Sequence, residues 1–444
     1  MDVLEAVEAA VRLAEDRGVS EAEAYAERLK GYSATLNAGR LRSVEAFMDT
    51  GIGVRVIIDG RMGFAYATGL SGERVARAVE EAVKAAKAAP RDPYAGLPRE
   101  QGRPVAVEQL YSRSLEDIDP GLLVEGLSAL VSGAAEKGLQ VPYGYAGVSS
   151  SETAVANTHG LMGYVRETAA SLLAGLTTGY KAPPVTVYSS SRRGLPSPEP
   201  LIEEAARVTG LYGSPVRLEE PRRMPVVLSP AALASLLDAT LLAAVDASMI
   251  ARGRSPYSGK PGELVACEEL TIIDDPHIPG GDASTPFDAE GVATRRKHLV
   301  YRGVLQSIVS DYYWGSRLGT GSTGNAARAG YASQPHPSPF NIVVEPGGSD
   351  LDEMLEAPEL LYVYDVRGAH TVVTETGEYS LLAAPAVLYR GGEPVGLLKG
   401  AMIAGSFYND LRRVTAVEKR LHHLVPRFYL PHLRIEGVMV ASQE

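Results

Sequence analysis

Cysteine is almost absent from this sequence of 444 residues, in which Cys267 is the single example. One thiol excludes an internal disulfide framework and any zinc site built from cysteine pairs.

Lysine is also scarce, at nine of the 43 basic residues, and the acidic residues outnumber the basic ones to give a net charge of −11. Because a protein that binds a phosphate backbone usually carries a basic face, we do not expect nucleic acid as a partner. The few thermolabile side chains indicate a thermophilic source, although the low lysine content does not fit that pattern.

Signal-peptide and membrane-span patterns are also missing. The first residues are acidic and amphipathic, without a basic region ahead of an apolar core. Residues 229–251 are apolar over a spanning length, but Asp238 and Asp246 interrupt them, and each would cost roughly 2.5–3.5 kcal/mol at a bilayer centre. The Ser-Pro pair at the start of this segment is typical of a helix N-terminus. We therefore predict a strand at 224–228 that leads into a buried helix of a cytoplasmic protein with no membrane partner.

The order of the predicted elements indicates an α+β protein. Apolar periodicity and helix caps predict, in order, helix 2–17, strands within 23–68, helix 72–88, helix 115–137, strands within 143–190 and helix 199–211. We expect an N-terminal α/β two-layer region at 1–215, with an internal repeat of about 1–90 and 110–215 and helices on one sheet face. We expect a mostly antiparallel, β-rich C-terminal domain with a few helices at 222–444.

Local patterns add detail to both regions. An Asp-Gly pair at 59–60, between two strand-like stretches, predicts a hairpin with a type I′ turn. In the C-terminal domain the pattern predicts helix 306–318, strands 340–345, 361–366, 370–375, 379–389 and 395–399, a short helix near 405–413 and a final strand 433–440.

Most catalytic signatures do not occur. None of the eight histidines is followed by Glu, and neither a serine nucleophile elbow nor a Walker A loop is present. His422 and His423 are adjacent, and adjacent residues do not share one helix face. A formal Gly-x-Gly-x-x-Gly runs from Gly319 to Gly324, but it follows a helical segment and leads into a proline-rich stretch, which argues against dinucleotide binding. Its backbone amides can still face an anion or a peptide carboxylate. Arg328 could contact the same anion, or it could equally be a charge with a purely structural role.

The densest polar cluster lies at 274–290, where five acids and one histidine stand among glycines. Asp274, Asp275, His277 and Asp288 could form a hard-cation or acid/base site. They could equally belong to a long structured loop in which Asp side chains cap turns. Long loops are often functional, so both interpretations stay open.

A family resemblance is carried by three runs of sequence: DDPHIPGGDASTPFDAEGVATRR, GVLQSIVSDYYWGSRLGTGSTGNAAR and YVYDVRGAHTVVTETGEYSLLAAPAVLYRGGEPVG. These runs resemble the PmbA/TldD family, historically called modulators of DNA gyrase, and the resemblance covers nearly the whole chain. The family contains TldD-type chains, with a His-Glu-x-x-x-His zinc motif on the helix that follows the first strand of the C-terminal domain. It also contains PmbA (TldE)-type chains, which lack that motif.

On this helix the register places Asp238, Ala239 and Ala243 where a TldD-type chain has His, Glu and His. Alanine offers neither a ligand nor a base, and a lone Asp238 cannot hold a tetrahedral zinc ion. The resemblance therefore implies a PmbA/TldE-type subunit without catalytic or metal-binding residues of its own. Such a subunit would pair with a zinc-containing TldD-type subunit in a heterodimeric peptidase that acts on unfolded peptides.

On this interpretation, the loops at 274–290 and 319–328 line the substrate channel or the partner interface. The candidate residues are Asp274, Asp275, His277, Asp288, Gly321, Gly324, Asn325 and Arg328. Two other classes of function stay open. One is a self-standing hydrolase with an acid/base or metal site in the 274–290 loop, and the other is a homodimeric peptide-binding protein without chemistry.

Overall fold

The N-terminal region is built on one antiparallel sheet, as seen in a computed structural model that describes residues 1–100, 102–179 and 181–442. Its strands are β1 Glu21–Asn37, β2 Arg40–Ile58, β3 Arg61–Thr68, β4 Gln140–Asn157, β5 Met162–Thr177 and β6 Val185–Ser191, in the spatial order β3-β2-β1-β4-β5-β6. Its helices are α1 Val3–Glu15, α2 Gly72–Ala88, α3 Arg113–Glu116, α4 Gly121–Glu136 and α5 Glu199–Gly210.

Local sequence explains several of these boundaries. Helix α1 begins at a capping box, in which the Asp2 carboxylate accepts from the Glu5 amide at 2.8 Å and the Glu5 side chain accepts from the Asp2 amide. Ser71 caps α2, as the sequence predicts. The predicted hairpin turn is also confirmed, because Asp59 and Gly60 both have positive φ, at 51° and 73°.

The expected repeat of element order is present, but the two units share one sheet. Each has the order helix, three strands, helix, and the central pair β1–β4 is antiparallel. Helices α1 and α2 pack small apolar residues against this sheet, among them Ala6, Ala10 and Ala82. The approach is close, since a Cβ at Gly63 of β3 would stand 2.1 Å from the Ala82 carbonyl oxygen. Glycine is required there for packing.

The C-terminal region contains two larger sheets and a two-stranded one. A nine-stranded sheet consists of β7 Arg222–Leu228, β14 Leu360–Val363, β15 Val366–Arg367, β16 Glu378–Ala383, β17 Ala386–Arg390, β18 Glu393–Leu397, β19 Ala401–Ser406, β20 Val414–Val417 and β23 Leu433–Ser442. A six-stranded sheet consists of β8 Ile272–Asp274, β9 Lys297–Tyr301, β10 Val304–Leu305, β13 Ile342–Val344, β21 His422–Val425 and β22 Phe428–Leu430. The small sheet pairs β11 Ala326–Ala327 with β12 His336–Pro337. Most pairings are antiparallel, while β7–β14 and β13–β22 are parallel.

Among the described residues of this region are five short α-helices: α6 Pro230–Leu237, α7 Ala247–Ala251, α8 Tyr312–Leu318, α9 Leu351–Leu355 and α10 Phe407–Asp410. The fold is thus mixed α+β, with a β-rich C-terminal part, as predicted. Within the described residues, no helix is long and apolar enough to cross a membrane.

Some predicted elements are wrong in detail. The single helix predicted over 229–251 is instead α6, a π-helical turn at Asp238–Leu242, and α7, which starts anew because Asp246 caps the Ser248 amide at 2.6 Å. No strand forms over the predicted 370–375, which is a 3₁₀ turn, Ala369–Thr371, followed by an isolated bridge at Val373 and a turn. The strand predicted over 379–389 is divided at Pro385, which cannot donate to a strand ladder.

Two predicted helices are shorter than the sequence suggests. The helix predicted at 115–137 is divided into α3 and α4 before Pro120, and the helix predicted at 306–318 starts at Tyr312. One apolar cluster joins the two regions, with Leu123 and Leu127 of α4 in the same core as Tyr362 and Tyr389 of the nine-stranded sheet.

Candidate functional site

The polar loop at 274–290 packs against the N-terminal sheet through a buried ion network. Arg55 of β2 donates from Nη2 to Glu23 of β1 at 2.8 Å and to Glu290 at 2.7 Å. Arg328 donates to the other carboxylate oxygen of Glu23. All four side chains are almost fully inaccessible to solvent. Burial lowers the pKa of Arg328, an effect that the negative charge of Glu23 opposes.

Asp288 organises the C-terminal end of the loop at 274–290. Its carboxylate accepts three backbone N–H bonds, from Glu290 at 2.9 Å, Val292 at 3.0 Å and Ala326 at 3.0 Å. The last of these bonds ties the loop to β11. Burial, together with the charge of Glu290, raises the pKa of Asp288 well above its usual range. The side chain is buried and acts as a turn-capping group, the structural alternative that the sequence left open.

The two predicted loops meet at Asp274. Its carboxylate accepts from Asn325 Nδ2 at 2.7 Å and from the Phe340 amide at 2.7 Å. Lys297 Nζ lies 3.3 Å from the same carboxylate and 2.6 Å from Asn325 Oδ1. Burial raises the pKa of Asp274 and lowers the pKa of Lys297. Asp274 and Asn325 are fully buried, so this network is closed to a substrate in the present conformation.

Asp275 and His277 are the more accessible members of the first loop. Asp275 accepts from the His277 amide at 2.9 Å and pairs with Arg296 at 3.1 Å. His277 Nε2 lies 3.0 Å from Thr294 Oγ1. Burial lowers the pKa of His277, which favours a neutral imidazole near pH 7. Both side chains are partly exposed, so they can contact a second molecule.

A crevice of about 260 Å³ separates this loop from the N-terminal sheet. One wall is the sheet, with Tyr25, Thr153 and Glu167, and the other wall includes Asp288 and Arg328. Burial raises the pKa of Glu167, although Arg192 opposes that shift. The crevice is lined by both apolar and charged side chains, and several of the charged groups are already paired within the protein.

Asp282 joins this loop to β6 of the N-terminal sheet and to the β21–β22 pair of the C-terminal region. Its carboxylate accepts from Ser190 Oγ at 2.5 Å and from the Arg427 amide at 2.9 Å, and it lies 2.9 Å from His423 Nε2. Burial opposes its ionisation, but the bonds from His423 and Ser190 prevail and lower the pKa of Asp282 to about 2. Arg192 donates to the main-chain carbonyl of Asp282 at 2.8 Å.

The glycine loop at 319–324 has left-handed backbone conformations that favour glycine. Gly319, Gly321 and Gly324 all have φ near +73°, and a Cβ at Gly324 would stand 2.6 Å from the Ala293 carbonyl oxygen. The amides of residues 319–321 donate to carbonyls at the end of α8, and the Thr323 amide donates to Ser310. These donors are engaged inside the protein and do not face an anion in this structure.

The positions where the resemblance places the zinc motif are unsuited to a metal ion. Asp238 is paired with Arg427 at 2.5 Å, so its carboxylate is already neutralised. Ala239 and Ala243 bring no donor side chain. Zinc needs about three protein ligands, so the residues present here do not fit the ion.

Sequence reasoning missed one group of ionisable side chains. Glu418, His422 and His432 place three donor atoms within 4.8 Å of one another. Helix spacing does not apply to the adjacent His422 and His423, because they lie on strand β21, where neighbouring side chains point to opposite faces. His423 accordingly meets Asp282, while His422 meets Glu418.

Comparisons with known proteins agree with this architecture. A family profile described as the PmbA/TldA metallopeptidase C-terminal domain matches residues 221–442, and the profile for domain 1 matches residues 22–86. The fold and the matched regions therefore define a protein of a metallopeptidase family. The chain belongs to the PmbA/TldD family.

Three relatives cover most of the chain. An uncharacterised protein of Methanocaldococcus jannaschii is 29% identical over 83% of this chain and 85% of its own length. The metalloprotease PmbA of Escherichia coli is 26% identical over 98% of this chain and 96% of its own length. The crystal structure of TldE from Thermococcus kodakarensis superposes with a TM-score of 0.91 at 28% identity and covers 98% of this chain and 100% of that one.

Proposed function

We propose that this chain is the PmbA (TldE)-type, non-catalytic subunit of a cytoplasmic heterodimeric zinc peptidase that acts on unfolded peptides. The observation that carries the proposal is the pairing of Asp238 with Arg427, at 2.5 Å, beside two alanines at the positions of the zinc motif. A zinc peptidase needs protein ligands, a metal-bound water and a general base. The catalytic zinc is therefore assigned to a TldD-type partner.

Two further observations support the subunit type. The similarity to a structure named TldE extends over the whole fold. The burial of Asp274 and Asp288, each of which accepts several hydrogen bonds, also leaves a self-standing acid/base site in the 274–290 loop with few free groups. The accessible side chains Asp275 and His277 fit contact with a peptide or a partner better than chemistry.

The proposal is tested by comparing the chain alone with the chain mixed with a TldD-type subunit from the same organism. We expect chelator-sensitive hydrolysis of an unstructured peptide by the mixture and none by the pure chain, with a one-to-one complex seen by size-exclusion chromatography with light scattering. Chelator-sensitive turnover by the pure chain would overturn the non-catalytic role. A homodimer that binds peptide but ignores the TldD-type subunit would favour the peptide-binding alternative.

A further inference from the structure

Three potential metal ligands converge near the C-terminus. Glu418 follows β20, His422 begins β21, and His432 lies between β22 and β23. One donor atom from each lies within 4.8 Å of the other two. None of these residues belongs to the loops at 274–290 and 319–328 or to the positions aligned with the zinc motif.

The carboxylate of Glu418 is the centre of the group. Its Oε2 lies 2.6 Å from His432 Nδ1 and 2.9 Å from His422 Nε2. Donor atoms around a tetrahedral zinc ion stand about 3.3 Å apart, given bonds of about 2.0–2.2 Å. Two of the three separations, 2.6 and 2.9 Å, are shorter than this value, and all three donor atoms lie within 4.8 Å of one another, so a small outward movement of the carboxylate would make room for an ion.

The charges around Glu418 leave room for a cation. Across residues 1–100, 102–179 and 181–442, the ion pairs of Glu418 are with His422 and His432 and not with Lys or Arg. The nearby Lys419 is paired with Asp350 at 2.6 Å, and Arg207 is paired with Glu204 at 2.8 Å. A buried carboxylate is costly unless a positive group compensates it. A divalent ion would supply that charge.

The surroundings of His432 resemble those of a histidine that binds a metal ion. The Nε2 atom of His432 lies 3.3 Å from the Tyr362 hydroxyl, which is buried. A histidine that binds a metal commonly has its second nitrogen held in this way by a neighbouring group. The side chains of Glu418 and His432 are 4% and 2% exposed, whereas His422 is 28% exposed. An ion could therefore enter from the side of His422.

We propose that Glu418, His422 and His432 bind one divalent transition-metal ion of the zinc class. Two imidazoles and one carboxylate are a ligand set that zinc uses, with water in the remaining position, while calcium and magnesium prefer oxygen ligands. The ion would connect three segments around the β21–β22 pair, whose register is irregular between His422 and Val425. This inference revises the sequence-based expectation that the chain carries no metal, and it does not depend on the proposed function.

The test uses the full chain without any partner. The protein is stripped with EDTA, loaded with Zn²⁺ or Co²⁺, and dialysed, after which bound metal is measured by mass spectrometry and the Zn²⁺ affinity by calorimetry. We expect one equivalent of Zn²⁺, a visible d–d absorption band with Co²⁺, and a higher melting temperature with Zn²⁺. Because loss of an outer-shell contact typically costs 10–100-fold in affinity, loss of a ligand in His422→Ala should weaken Zn²⁺ binding by at least about 100-fold.

The matched control is His370→Ala, which removes an exposed histidine elsewhere and should bind Zn²⁺ as the wild type does. The urea midpoint in EDTA shows whether His422→Ala is folded, and Glu418→Gln provides a second variant if it is not. The proposal is overturned if the wild type retains no stoichiometric Zn²⁺, or if folded ligand variants bind it with unchanged affinity. It is also overturned if His370→Ala loses binding to the same extent. Since turnover with a TldD-type partner is not part of this test, its failure leaves the proposed function unaffected.

Discussion

Arg55 is one of the side chains that link the two regions of the molecule directly. It lies between Glu23 of the N-terminal sheet and Glu290 of the C-terminal loop, with its side chain 3% exposed. Replacing a whole buried ion pair by apolar residues is often nearly neutral, but removing one partner leaves uncompensated charge. We expect Arg55→Met to lower the free energy of unfolding by about 3–5 kcal/mol, measured from urea denaturation.

The control for this prediction is Arg99→Met. Arg99 pairs with Glu21 at 3.0 Å, but its side chain is 69% exposed. An exposed pair contributes at most about 1 kcal/mol, so this variant should unfold close to the wild-type midpoint. Equal midpoints for the two variants would mean that the Arg55 network contributes no more than a surface contact.

At the scale of elements, the segment 230–251 shows how an apolar run can be buried without forming one helix. Helix α6 continues into the π-helical turn at Asp238–Leu242, and Leu241 of that turn is fully buried in the C-terminal core. Truncation of a fully enclosed leucine creates a cavity. We expect Leu241→Ala to lower the free energy of unfolding by about 2–5 kcal/mol, measured from the midpoint and slope of urea unfolding.

Leu122→Ala on α4 is the matched control, because the side chain of Leu122 is 43% exposed. Both leucine and alanine favour helix, and an exposed substitution of this kind usually changes stability by about 0.5 kcal/mol or less. If Leu241→Ala changes the free energy of unfolding as little as this control does, then the side chain of Leu241 is not enclosed in the C-terminal core.

Elements with strong local signals could be predicted from the sequence. The helix predicted at 72–88 has those bounds in the structure, because a serine cap and an apolar stripe define it locally. The helix predicted at 306–318 is wrong over its first half, because the Gln306 amide donates to Leu299 and the Val309 amide donates to Val245. Those partners are distant or lie on other elements, and periodicity within one segment carries no information about them.

The site was predictable to a similar degree. The sequence singled out the segments containing Asp274 and Asn325, and the structure joins these two side chains at 2.7 Å. The contact between Arg55 and Glu290 could not be predicted from the sequence, because 235 residues separate them and single charged residues on strands are common. Composition and spacing thus located the polar loops, but only the three-dimensional packing determines which of their charges are already paired.

At the scale of the whole molecule, burial separates the eight candidate residues into two groups. Asp274, Asp288, Asn325 and Arg328 belong to closed networks and Gly324 is buried, so their substitution would disturb the fold before any contact with another molecule. Asp275, His277 and Gly321 keep access to solvent. The hypothesis that these loops contact a peptide or a partner is therefore best tested at the accessible positions.

His277 provides that test in the complex with a TldD-type subunit. Its ring contacts Thr294 at 3.0 Å and is partly exposed, so truncation should leave the fold intact while it removes a polar and apolar contact. If the loop lines the channel or the interface, His277→Ala should lower peptide turnover by roughly tenfold, which is about 1.4 kcal/mol, or weaken assembly to a similar extent. Zinc per complex should not change, since His277 belongs neither to the partner's zinc site nor to the group of Glu418, His422 and His432. His370→Ala, an exposed histidine outside both loops, should keep wild-type turnover and assembly. Turnover and assembly at wild-type levels in His277→Ala would show that this part of the loop is a structural turn and does not meet a second molecule.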